Sequence, residues 1–388
     1  MLRVLTLSTL FPDTSRPNFG IFVEQQTRGI AARSDLDVRV VAPVGLPPFP
    51  LSLHPRYRAL RALPRHEQWR GLDVFRPRFV NIPGTSGRLH PAMLVRALRP
   101  LLRNIRRDFP FDLIAAEFFY PDGPAAIAMG REFGVPVSIK ARGADIHHWG
   151  TAPATRDKVL AAGRAASGCL AVSNAMRDDM IALGMDGDRI ERSLTGVDPA
   201  RFHPRDRTEA KAALGISGPL VLSTGALIER KGHDIVIDAV ARLPGVALRI
   251  AGEGPARAQL QARIDALGIA DRAQLLGSVA HDAMPQWLAA ADVMALASAS
   301  EGLANAWVEA LASGTPIVIP DIGGAREVMR EGAGRIVARN ADAFAAGIAA
   351  LLADPPSAQA VRAAAAPFTW EANAAHLSDF YHRLVAAR

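Results

Sequence analysis

Ser300-Glu301-Gly302-Leu303-Ala304-Asn305-Ala306-Trp307-Val308-Glu309-Ala310-Leu311-Ala312-Ser313-Gly314-Thr315-Pro316-Ile317-Val318-Ile319 is the stretch on which the fold turns. Glu301 stands in a glycine-containing loop behind an apolar segment, and Glu309 falls inside the helix that follows. Residues 305–313 are helix formers, Gly314 supplies a stop, Pro316 cannot prolong the helix, and residues 317–319 begin another buried strand. The unit is strand, loop, helix, strand, with its acids at the loop end. In open parallel sheets ligands bind at that end, outside the carboxyl edge of the strands. Two carboxylates placed there suit a ligand better than a core.

The same alternation continues outward in both directions. Upstream in the second half, apolar strands are expected at 220–223, 247–251, 273–276 and 293–297, each followed by a helical stretch. In the first half strands are expected at 3–8, 38–42, 72–76, 113–116, 137–140 and 169–173. Between the halves the rhythm breaks at Leu194-Thr195-Gly196-Val197-Asp198-Pro199-Ala200-Arg201-Phe202-His203-Pro204, which reads as a linker. A chain of 388 residues is too long for one ordinary core. The expected fold class is therefore α/β, with two Rossmann-like doubly wound parallel sheets, one in residues 1–198 and one in 199–368, and a last helix in 369–388. Residues 43–55, rich in proline, read as an irregular loop.

Composition narrows the classes further. The single cysteine, Cys169, lies in an apolar run, so there is no disulfide framework and a reducing, cytoplasmic setting is expected. The amino-terminal apolar run is short and reads as a first strand rather than a signal sequence. The net charge of +7 is carried almost wholly by arginine, with thirteen arginines between Arg56 and Arg107. Such a basic segment attracts an anionic membrane surface or a polyanion. Residues 91–107, with apolar positions at Leu94, Val95, Leu98, Leu101, Leu102 and Ile105, read as a basic amphipathic helix, either solvated or membrane-facing.

Three further clusters carry chemistry. Gly225 ends a strand, and Arg230-Lys231-Gly232 opens the next helix, where two cations join a helix N-terminus that already favours an anion such as a pyrophosphate. Gly252-Glu253-Gly254-Pro255 resembles a dinucleotide turn, but Arg257 occupies the third glycine's place. In the first half, Gly20 precedes a helix that carries Glu24, and Arg142-Gly143-Ala144-Asp145-Ile146-His147 follows a strand, bringing charged groups to the sheet edge. Asp35-Leu36-Asp37 and Asp186-Gly187-Asp188 read as turn acids, and no metal site or nucleophile motif is apparent.

Together these stretches resemble the retaining GT-B glycosyltransferases of family four. The residues that carry the likeness are Glu301 through Glu309, Gly225 through Gly232, Gly252 through Pro255, Leu276-Gly277-Ser278-Val279, Ala290-Ala291-Asp292-Val293 and Gly323-Gly324-Ala325-Arg326-Glu327. The resemblance implies transfer of a sugar from a UDP- or GDP-linked donor, with retention and with neither metal nor cofactor. It implies that Arg230 and Lys231 neutralise the donor diphosphate and Glu301 meets the transferred sugar beside the backbone of Gly302, Leu303, Ala304 and Asn305. Glu309 would bind the ribose, Val279 would lie by the base, and Gly20 and Gly225 by the phosphates. Arg142 stands where many members have histidine and would add charge at the phosphate. Glu24, Asp145 and His147 are candidates for the acceptor side. The expected acceptor is a carbohydrate, lipid-linked or a growing polysaccharide, at the inner face of the cytoplasmic membrane; nucleic acid is not an expected partner. The last helix would cross back to the first domain. The alternatives are a nucleotide-sugar epimerase or hydrolase of the same fold, and a basic polyanion-binding protein with a degenerate cleft.

Overall fold

The computed structural model describes residues 1–387. They divide into two compact units, Met1–Thr195 with the segment from Trp370 onward, and Gly196–Thr369.

The first unit contains β1 (Leu2–Leu7), β2 (Leu36–Val41), β3 (Val44–Leu46), β4 (His66–Trp69), β5 (Leu72–Phe75), β6 (Arg78–Val80), β7 (Leu113–Ala116), β8 (Val137–Ala141), β9 (Gly168–Ala171) and β10 (Ile190–Arg192). Eight of them form one sheet in the order β10-β9-β8-β7-β1-β2-β5-β4. All neighbours are parallel except β4 and β5, which form an antiparallel hairpin at the edge. The hairpin turns through Arg70 and Gly71, both at positive φ, the geometry that matches the twist of the flanking strands. Residues 43–55 are more ordered in pattern than their prolines suggest, because β3 pairs in parallel with β6 and two short turns follow it.

The central strands are buried on both faces, which is why they read as unbroken apolar runs. The helix Trp370–Ala386 completes this unit's core. Its Ala374, Leu377, Phe380 and Tyr381 pack with Leu2, Val4, Ile30, Leu36, Leu113 and Leu170. Cys169 is buried and free.

The helix His90–Asp108 buries Leu94, Leu98, Leu102 and Ile105, so its apolar stripe faces the unit's interior. Its arginines are largely engaged by neighbours. Arg99 and Arg103 both bond Glu132, at 2.7 Å each, and the Arg106 guanidinium lies over the rings of Phe111 and Phe133. The apolar stripe is thus turned inward while Arg96, Arg99, Arg103 and Arg107 stay exposed, so of the two sequence-based alternatives this packing favours a solvated surface helix. Among the described residues no helix is long and apolar enough to cross a membrane.

The second unit holds β11 (Leu220–Thr224), β12 (Ala247–Ala251), β13 (Ala273–Gly277), β14 (Val293–Ala295), β15 (Ile317–Pro320) and β16 (Gly334–Val337). They form a wholly parallel sheet in the order β13-β12-β11-β14-β15-β16. The chain starts at the centre, winds outward to β13, then returns beside β11 as β14 and winds the other way. The winding reverses between β11 and β14, and the crevice at such a reversal is where open α/β sheets bind ligands. Asp292, part of the Ala-Ala-Asp-Val stretch, lies just before β14 at the opposite edge, accepting from the Leu220 N–H at 2.7 Å and from Lys211 Nζ at 2.6 Å. It ties strand starts together and touches no ligand edge. The two ends of this unit meet, with Val197 N–H donating to the Phe368 carbonyl at 2.9 Å and Val197 bridging Thr369.

Candidate active site

In the second unit the loops after β11 and β14 bring three charged side chains to the winding reversal. Residues Glu229–Lys231 form a tight turn that ends at Gly232, which adopts a left-handed conformation with φ 64° and starts the helix His233–Ala241. A Cβ on Gly232 would sit 2.1 Å from the Ala297 carbonyl oxygen, so only glycine lets the two loops close on each other. The contact is sealed by the Ala299 N–H, which donates to the Arg230 carbonyl at 2.7 Å.

That closure places Lys231 on Glu301. Lys231 Nζ donates to Glu301 Oε1 at 2.5 Å, and Arg230 Nη1 donates to the Ser300 carbonyl at 2.5 Å while lying 3.8 Å from Glu301 Oε2. Lys231 and Glu301 are 15% and 10% exposed, whereas Arg230 is 38% exposed. The Lys231 stem runs over Gly225, whose added Cβ would meet it at 3.5 Å. Glu301 is fixed from its other side by the Gly323-Gly324 turn: a Cβ on Gly323 would stand 2.1 Å from the Glu301 carbonyl oxygen, and Gly324 N–H donates to the Gly302 carbonyl at 2.8 Å. Gly302, Leu303 and Ala304 are buried at the start of the helix Asn305–Ala312. Val279 is half-buried in the loop after β13.

Glu309, inside that helix, has a partner the sequence did not announce. His281 Nε2 donates to Glu309 Oε1 at 2.9 Å, both side chains being nearly buried, and the imidazole packs beside the Phe202 ring. Its Nδ1 is buried and has no hydrogen-bond partner among the described residues. The only available signal was position, His281 lying two residues beyond Val279 in the same loop. His233, next to Gly232, bonds Ser223 Oγ through Nδ1 at 3.0 Å. Burial, reinforced by the Lys231 charge, pushes its pKa down to about 4, so the ring is neutral beside the cations.

In the first unit Gly20 has φ 68° and caps the helix Ile21–Ala31. An added Cβ would strike the Leu10 carbonyl at 2.5 Å, so the loop after β1 folds tightly over the helix start, where first-turn N–H groups favour an anion. The Arg142 loop departs from expectation. Arg142 is 6% exposed and its guanidinium is locked onto the equally buried Glu117, with a second bond to Gln26 Oε1 at 3.1 Å. The expected free charge at a phosphate is thus neutralised internally, because a buried guanidinium needs a carboxylate. Lys140 lies below it, fully buried and bonded to Gln26 Oε1 at 2.7 Å and Ser193 Oγ at 3.0 Å. Burial, with the nearby Arg142 charge, holds its ammonium well below the ordinary lysine range.

The acceptor-side candidates are also placed differently from expectation. Asp145 is fully buried and accepts from the N–H groups of Phe119, Arg142 and Gly143 at 3.0, 3.0 and 2.8 Å, stapling the loops after β7 and β8; burial raises its pKa. Glu24 is fully buried and accepts from Trp69 Nε1 at 3.1 Å and Arg70 at 3.4 Å. Both carboxylates are spent on shaping loops from within. His147 is a quarter exposed and bonds Asp179 at 2.8 Å. Glu117, Gln26 and Lys140 were not singled out from sequence; the signal was an acid directly after the buried strand β7.

Comparison with known proteins places these features in context. Residues 206–367 match the family model of the glycosyl transferases group 1, and residues 22–201 match that of Glycosyltransferase Family 4. A Bacillus subtilis protein named for teichuronic acid biosynthesis as the glycosyltransferase TuaC is 27% identical over 334 residues, 83% of this chain and 82% of its own. The D-inositol 3-phosphate glycosyltransferase of Mycobacterium marinum is 36% identical over 216 residues, 52% of this chain and 46% of its own, so the chain spans about half of that relative. Among solved structures, sucrose-phosphate synthase from Thermosynechococcus elongatus superposes with a TM-score of 0.83 at 20% identity over the full length of both chains. Anabaena HepE in complex with UDP and glucose superposes with a TM-score of 0.75 at 20% identity, covering 98% of this chain and 99% of its own. These structural likenesses establish the GT-B fold.

Proposed function

Because the chain belongs to glycosyltransferase family four, the group 1 glycosyl transferases, we propose that this glycosyltransferase moves a hexose from a UDP- or GDP-linked donor to a carbohydrate acceptor, with retention and without a metal. The observation that carries the proposal is the convergence of Arg230, Lys231 and Glu301 at the winding reversal between β11 and β14. Cleavage of a sugar–phosphate bond builds negative charge on the departing diphosphate and positive character on the sugar ring. Two cations fixed before the reaction stabilise that diphosphate without reorganising, and removing one such group costs roughly 3 kcal/mol in other enzymes. Glu301 holds Lys231 in place, and with donor bound it accepts from sugar hydroxyls.

Glu309, steadied by His281, receives the ribose hydroxyls, and Val279 borders the base. The second unit is thus the donor unit and the first the acceptor unit. HepE supports a uridine donor, since it has been solved with UDP and glucose. The likeness to TuaC, named for teichuronic acid biosynthesis, supports a lipid-linked or growing polysaccharide as acceptor, met at the inner face of the cytoplasmic membrane. Arginine-rich composition between Arg56 and Arg107 fits that location.

Thermal shift against a panel of nucleotide sugars identifies the donor, because a ligand that binds only the folded state raises its stability. Arg230→Ala is the sharper test, since Arg230 is the most exposed of the three and its loss leaves the Lys231–Glu301 pair intact. Turnover of the identified donor should fall about a hundredfold with an unchanged melting curve. Near-normal transfer would sink the assignment, and donor cleavage that never requires an acceptor would replace it with a hydrolase.

A further inference from the structure

Three of the largest exposed apolar side chains in the molecule fall together. Phe49, Leu51 and Leu53 are 79%, 55% and 52% exposed, on the segment between β3 and β4. The segment is folded: Ser52, Leu53 and His54 donate their N–H groups to the carbonyls of Pro48, Pro50 and Leu51 at 3.2, 2.9 and 3.2 Å. Its backbone is therefore largely satisfied within itself, as a projection entering a water-poor layer requires. Next in the chain, the short helix Arg58–Ala62 buries no residue. Arg56, Arg58, Arg61 and Arg65 are all exposed, Arg56 lying over the ring of Tyr57. No acid occurs anywhere from residue 38 to residue 66. An apolar tip rimmed by unopposed cations has a particular complement: acyl chains beneath anionic headgroups. The helix His90–Asp108 lacks this combination, because its leucines face inward and Arg99 and Arg103 share Glu132.

We propose that residues 49–53 insert at the acyl boundary of an anionic phospholipid bilayer while Arg56, Arg58, Arg61 and Arg65 engage its headgroups. This rests on the membrane-side acceptor proposed above and locates the surface that meets the membrane. The attachment is interfacial and reversible, and it presents the first unit to an acceptor anchored in the same leaflet.

The test is co-sedimentation of the full chain at low salt with vesicles of phosphatidylcholine, alone or mixed with phosphatidylglycerol. The unaltered protein should bind the mixed vesicles and neglect phosphatidylcholine. Phe49→Ser/Leu51→Ser/Leu53→Ser should bind at least about tenfold more weakly. Arg56→Gln/Arg58→Gln/Arg61→Gln/Arg65→Gln should lose the preference for anionic lipid, while Arg99→Gln/Arg103→Gln should bind like the parent. All altered positions are exposed, and a melting curve with and without donor nucleotide confirms that each variant folds and keeps its donor site. Full binding by the triple serine variant, or loss confined to the Arg99/Arg103 variant, overturns this location but leaves a membrane-side acceptor standing. No binding by the unaltered protein overturns both. If the serine substitutions instead turn a dimer into a monomer without changing vesicle binding, the patch is a contact between copies and the proposal fails.

Discussion

Gly232 shows how much a single position can decide. It allows the Lys231 turn to approach the Ala297 carbonyl, and its φ of 64° costs an ordinary residue about 1–2 kcal/mol before any collision is counted. Gly232→Ala should therefore lower stability by more than that, read by denaturant unfolding, and should weaken donor binding as Lys231 is pushed off Glu301. His281 makes a different prediction. It touches Glu309 and none of the charged groups around Arg230, so His281→Ala should raise the donor KM severalfold and change kcat little. His281→Gln, which can still donate to the carboxylate, should recover most of the loss. An equal fall in kcat would mean that His281 serves the chemical step instead. Residues of this kind differ in legibility. Glu301, Lys231 and Gly232 were readable because each lies in a short local pattern of strand end, glycine and charge. The ion pair of Arg142 was not legible, because its carboxylate partner Glu117 lies on another loop and sequence separation hides such pairing.

Among the elements, the helix His233–Ala241 carries a titrating group at its first position. His233 is 1% exposed and its pKa is held down to about 4 from the ordinary 6.5. Between those values the unfolded chain binds more protons than the folded one, so stability falls as pH falls from about 6.5 to about 4. A shift of that size corresponds to about 3 kcal/mol. Unfolding curves for the parent and His233→Gln should converge as pH drops across this window, because the variant has no imidazole to charge; parallel curves would show that the ring is not the cause. The central strands were legible from their apolar runs, whereas β4, β6, β10 and β16 were not. β4 and β10 are sheet-edge strands, β6 pairs only with the short β3, and β16 alternates partly exposed residues, so pairing with a neighbour defines them more than composition does. Chemistry at the loop ends was easier to see than the edges of the sheets.

Across the whole molecule the decisive fact is order along the chain. The first unit is interrupted after Thr195 and resumes at Trp370, so the second unit is an insertion in it. Residues 196–369 should fold alone when expressed as a fragment, giving a cooperative melt and retaining nucleotide binding by calorimetry. The chain cut after residue 369 should lose stability in its first unit, because Leu377, Phe380 and Tyr381 leave the core and one buried leucine removed costs about 2–5 kcal/mol. A stable truncated first unit would contradict that view of the final helix.

The bridge between Val197 and Thr369 has a consequence in terms of inheritance. A segment whose two ends lie side by side can be lifted out and replaced without stretching the host, since its loop is already closed. The second unit can therefore be exchanged by recombination at two points in a gene while the first is passed on unaltered.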